Sequence, residues 1–144
     1  MDIDRLTDFF LWMLAFLFST TFHEAAHAWA AKRGGDKTAY EAGSMTMDPL
    51  PHIKRSPFGM VVVPILSFFL AGFMIGWASA PYDARWAKRH PHRAAWMSLA
   101  GPAANFILVV ACAVIIRVLY SADLVTGSDD GSAAYLILDR KSVV

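Results

Sequence analysis

Three stretches without a charged side chain alternate with polar segments: Phe9–Phe22, Ser56–Tyr82 and Ala94–Ile116. A bilayer core takes about 20 apolar residues of helix. The first run with its flanks predicts a spanning helix over 6–33, ended by Lys32, Arg33, Gly34 and Gly35: basic groups in the last turn, then glycine. The second predicts a span over 56–80, bent because Gly59, Pro64, Gly72 and Gly76 interrupt it. The third predicts a span over 94–120. Between the first two, residues 36–55 are polar and rich in turn formers. There TAYEAG and SMTM read as short strands around a turn at Gly43. A polar tail occupies 121–144, and its apolar piece Ala133–Leu138 is too short to span. The pattern predicts one all-α membrane unit over 1–144, with about three transmembrane helices and a β-hairpin-like element between the first and second.

Composition strengthens the membrane reading. Hydrophobic residues make up 56 % of the chain, charged residues 17 %, and the mean hydropathy is +0.41. Soluble domains are less apolar. A net charge of +1, with no basic stripe interleaved with aromatics, gives no footprint for nucleic acid. The lone Cys112 lies in an apolar run and has no partner for an intrachain disulfide. Asp2, Asp4 and Asp8 make the N-terminus acidic where a cleavable signal needs positive charge, so the first apolar run is expected to stay in the mature protein. Three spans would place Arg5 and Asp83–Arg93 on one side of the bilayer, and Lys32–Arg55 and the tail on the other. The second side carries more Lys and Arg, which the positive-inside rule assigns to the cytoplasm.

Candidate chemistry sits late in the first apolar helix, in His23-Glu24-Ala25-Ala26-His27. On a helix the two imidazoles lie one turn apart on one face and can take adjacent corners of a tetrahedral zinc site. Glu24 projects about 100° round from His23, placed to act as a base on a metal-bound water. Polar groups at membrane depth are costly and functional by default. Asn105 falls in the third apolar run, so its amide is expected to face protein or substrate. Pro102 kinks or starts a helix there. His52, in Asp48-Pro49-Leu50-Pro51-His52, is a candidate to approach the metal. His90 and His92, flanking Pro91 in a basic loop, are expected in solvent.

These residues together resemble a known family. A His-Glu-x-x-His helix in the membrane, then GGDKTAYEAGSMTMDPLPHI, a GW-containing second span and AGPAAN in the third resemble the site-2 proteases, closest to the short bacterial and archaeal members without a PDZ domain. The likeness runs from about Phe9 to about Leu119. It implies a metalloprotease with one Zn2+ per chain that cuts within the membrane, His23 and His27 being ligands and Glu24 the general base. It implies that 36–52 is a β element receiving unwound substrate, and that Gly101, Pro102 and Asn105 match the third-helix motif beside the site; His52 is a separate candidate to line it. Implied partners are transmembrane substrates such as anti-sigma factors and remnant signal peptides, the lipid bilayer, and a second copy or partner chain. The implied location is the bacterial or archaeal cell (inner) membrane, with the active site toward the cytoplasm.

Two departures stand out. The family's third zinc ligand is an Asp in an Asn-x-x-Pro segment ending Leu-Asp-Gly, and no such segment occurs here. Leu138-Asp139-Arg140 lacks the preceding Asn and Pro and the following Gly. Lys54-Arg55 stands where short members carry an acidic residue. Catalytic zinc normally takes three protein ligands. Asp48, His52, Asp139, a second chain or a segment beyond Val144 are the available sources. The alternative function is a non-catalytic pseudoprotease that binds transmembrane partners.

Overall fold

A computed structural model describes residues 3–122. Its first helix, α1 (Ile3–Gly34), is about 48 Å long at 1.5 Å per residue. Asp4 in its first turn and Lys32 and Arg33 in its last complement the helix dipole. Gly35 closes it at φ +101°. Gly35 N–H donates to Lys32 O and Asp36 N–H to Ala31 O, the paired bonds of a Schellman cap.

Residues 36–55 contain no strand, which corrects the β-hairpin expectation. They form α2 (Thr38–Glu41), a turn at Gly43, and α3 (Pro49–Arg55). Gly43 and Ser44 repeat the Schellman pairing, bonding to Tyr40 O and Ala39 O. The Asp36 carboxylate starts α2 by accepting from the Thr38 amide and hydroxyl, so a piece too short to show a period becomes helical. Asp48 caps α3 by accepting from Leu50 N–H at 2.9 Å, ahead of Pro49 in the first turn.

The second apolar run is helical only in its first half. A π-helical turn (Phe58–Val62) leads into α4 (Val63–Ala71), and Gly72 at φ +78° ends it. This piece meets α3 at 114°. It lies antiparallel to the first half of α1: Arg5 Nη2 donates to Phe69 O, and Phe9 packs on Phe68 and Phe69 at ring separations of 5.4 and 5.2 Å. Residues 74–83 then return with no helix or strand. Trp77 N–H bonds to Gly59 O and Ile75 N–H to Ser67 Oγ. Side chains alternate along the return, with Phe73, Ile75 and Trp77 exposed and Met74 buried. The two backbones touch at Gly59 and Gly76, where any Cβ would strike Trp77 or the opposite carbonyl. The predicted span over 56–80 is therefore a helix with an extended return, because irregular backbone at membrane depth persists where it lies against protein.

That return changes the topology. Asp83 N–H donates to Asp36 Oδ2, and Trp86 Nε1 and Arg93 Nη1 both donate to Gly34 O. Residues 83–93, with α5 (Ala84–Arg89), thus share an end with 32–55, not with Arg5 as three simple spans would require. Asp36 joins the two segments. Burial pushes its carboxyl up, but the Thr38 and Asp83 bonds outweigh that and hold it below the usual carboxylate range.

The last helix, α6 (Pro91–Ser121), contains Pro102 without a break. Its first part, through Leu108, runs antiparallel to α1, with Gly101 and Ala104 buried. Residues 109–122 belong to a separate unit whose helix exposes Val109, Val114, Ile115 and Val118. α1 and α6 are each long and apolar enough to cross a membrane, and the bent α3–α4 segment makes a third candidate.

Candidate metal centre

His23 and His27 point their Nε2 atoms at one another, 3.0 Å apart, with the rings edge to face. Glu24 joins them: one ligand atom from each of the three residues lies within 4.8 Å of the others. Glu24 is only 6 % exposed. The cluster lies seven to eleven residues before the end of α1, about 10–17 Å along its axis.

The opposing wall is α6. His27 Nδ1–H donates to Met97 O at 2.7 Å. Asn105 Nδ2 donates to His23 Nδ1 at 3.2 Å, and Ser19 Oγ donates to Asn105 Oδ1 at 3.3 Å. The Met97 carbonyl, which can only accept, fixes the His27 tautomer, and the amide orientation of Asn105 sets that of His23. His27 has its proton on Nδ1, so its Nε2 is a lone pair accepting from His23 Nε2–H. Gly101 makes the close approach possible, since an added Cβ would overlap Nε2 of both histidines.

The donor set fits zinc. Two imidazole Nε2 atoms converge on one point, a carboxylate stands beside them, and the glycine opposite leaves the space a Cβ would fill. Zinc also demands an unprotonated Nε2 on His23. Its Nδ1 must then carry the proton and donate, so Asn105 must turn its amide over, offering Oδ1 to His23 and Nδ2 to Ser19 Oγ. Both partners accept that exchange.

The other candidates fall elsewhere. His52 is 1 % exposed, with Nε2 near Thr46 O and no hydrogen-bond partner on Nδ1. Asp48 is spent on capping α3. Pro102 faces outward. Asp139 lies outside the described residues, and among those described no ligating side chain other than Glu24 joins the histidines. Thr21, beside the cluster, is buried and bonded to Leu17 O and Phe18 O of its own helix. Ser19, one turn before His23, is polar lining that the sequence offers together with Thr20 and Thr21. One contributor went unread in the sequence: the Met97 carbonyl leaves no trace in side-chain pattern.

With this geometry in view, the comparisons with known proteins are specific. Residues 11–137 match the model of peptidase family M50, and the chain belongs to that family, the site-2 proteases. Two curated relatives, both named "putative zinc metalloprotease", are YwhC of Bacillus subtilis and Rip2 of Mycolicibacterium smegmatis. YwhC is 36 % identical over 67 % of this chain and 40 % of its own length. Rip2 is 31 % identical over 71 % of this chain and 38 % of its own length. The chain thus spans about two fifths of the relatives it matches. No solved structure matches it. Family and apolar helices together mark an integral membrane protein.

Proposed function

We propose that the protein is a site-2-type intramembrane zinc metalloprotease, hydrolysing peptide bonds in or near transmembrane segments. The observation that carries this reading is the His23–Glu24–His27 cluster, with Glu24 buried and both histidines half-buried, inside a helix long and apolar enough to span. His23 and His27 hold the metal, with Met97 O and Asn105 orienting their rings. When bound there, zinc would polarise the scissile carbonyl and acidify the attacking water. Glu24 takes the proton of the attacking water and returns it to the leaving amine. Water must reach a site walled by apolar helices, and Ser19 and Asn105 give it a polar flank. With Glu24 as the base, the third ligand comes from outside residues 3–122.

Purified protein in proteoliposomes should cleave a model transmembrane substrate, lose that activity to a zinc chelator, and regain it with added Zn2+. Cleavage indifferent to chelation would overturn the proposal. The pseudoprotease reading is favoured by the two-histidine ligand set. It predicts substrate binding without cleavage and no stoichiometric zinc.

The topology supports an orientation. Lys32, Arg33, Lys37, Lys54, Arg55, Arg85, Lys88, Arg89 and Arg93 gather at one end of α1, and Arg5 lies at the other. The positive-inside rule puts the basic end, and the active site nearer it, toward the cytoplasm of a bacterial or archaeal cell membrane. In a Cys112→Ala background, Lys88→Cys should resist a membrane-impermeant maleimide in intact cells and react in inverted vesicles. The reverse pattern would invert the assignment.

A further inference from the structure

The end of α1 and the first turns of α6 flank an open groove of about 620 Å3. Arg33 and Arg93 stand at one end, its mouth, with Trp29 and Trp96, while Leu99 and Ala103, both exposed, form the apolar strip that is its floor. Trp29 is 52 % and Trp96 73 % exposed. The Arg33 guanidinium rests over the Trp29 ring, 4.7 Å from its centre. Arg93 is anchored by one bond from Nη1 to Gly34 O, which leaves the rest of its fork outside that bond. Neither guanidinium pairs with a carboxylate among the described residues, whereas Arg89 pairs with Asp83.

We propose that this groove binds an anionic phospholipid, with the phosphate between the two guanidinium groups and an acyl chain along the floor. Arg forks match phosphate oxygens, and both side chains sit at the basic end of the helices. Exposed tryptophans flanking them belong at headgroup depth. Below the mouth the lining turns apolar: Arg93, Trp96 and Ala103 fall along one side of α6, and Ala103 lies about 15 Å from Arg93 along the axis. A charged mouth over an apolar floor of that length suits a headgroup with the upper part of its chain. An apolar partner helix would leave both guanidinium charges unanswered, so charge selects the lipid. This inference does not depend on the proteolytic reading.

The test is binding of phosphatidylglycerol to the detergent-solubilised protein, followed by native mass spectrometry. Arg33→Gln with Arg93→Gln should lower affinity at least about tenfold, because both charge-assisted bonds to the phosphate are lost. Arg85→Gln with Lys88→Gln removes the same charge at the same end of the molecule and should change affinity less than about twofold on the site model. Equal losses in both pairs would reduce the effect to general surface attraction and overturn the site. Glycerol phosphate competing as well as the lipid would show a free-anion site and overturn the acyl part. If the double variant loses helical circular dichroism, Arg93→Lys keeps the charge and removes the fork. It should still weaken binding, and unchanged affinity in that variant would overturn the proposal.

Discussion

Replacing Glu24 with Gln is expected to lower hydrolysis of a transmembrane substrate by about 10²–10⁴-fold, the range a positioned general base contributes, while leaving zinc content unchanged. Gln keeps the size of Glu and its capacity to hydrogen-bond, and loses only the ability to accept a proton at neutral pH. Glu24 is buried beside the histidine pair, with a carboxylate oxygen within 4.8 Å of their ring nitrogens. That is near enough to serve either as base or as ligand. The two roles separate cleanly. A base leaves the metal in place when removed and abolishes turnover; a ligand takes the metal with it. Initial rates in proteoliposomes and metal content by mass spectrometry give both readings on one preparation. Full cleavage by Glu24→Gln would remove Glu24 from the mechanism, and lost zinc would make it a ligand.

The helix carrying this chemistry was legible because its signals agree. An uncharged run, basic residues in the last turn and glycine after it all end near Gly34, and the His-Glu-x-x-His spacing needs nothing but a helix to converge. Asn105 was legible for a related reason: a lone amide in an apolar run must find a partner, and here it finds His23. The second span misled because hydropathy does not distinguish helix from extended chain. Residues 56–82 are uncharged throughout, yet Gly72 turns the backbone and Gly59 and Gly76 let the return strip pack against the helix it came from. Counting spans by hydropathy then put 83–93 at the wrong end, although Asp36, Gly34 and Trp86 hold it beside 32–55. The strands read in 36–55 failed at the scale of single hydrogen bonds. An Asp36 side chain starting one short helix and an Asp48 side chain capping another decide that region, against a weak alternation. His52 was a candidate for the metal by residue type alone, with a solvated loop histidine the commoner outcome, and it is neither: α3 buries it outside the cluster.

Gly101→Val should lower zinc affinity by at least about a hundredfold, the upper end of what losing orienting contacts around a metal ligand costs. An added Cβ at Gly101 would occupy the space of Nε2 on both histidines. Relief requires either swinging the rings, which breaks the His27–Met97 and His23–Asn105 bonds, or pushing α6 outward, which breaks the same bonds. Either way the two nitrogens stop converging. A glycine in a membrane helix also serves plain helix packing, so affinity alone is ambiguous. Ala95→Val, at an exposed position of α6, controls for the added bulk and branching. A double-mutant cycle on protein stability then isolates the clash. Gly101→Val should destabilise the metal-free wild type, yet cost far less in a His23→Ala, His27→Ala background, where the imidazoles it would strike are gone. Equal cost in both backgrounds would assign Gly101 to helix packing and leave the metal geometry to be held by Asn105 and Met97 alone.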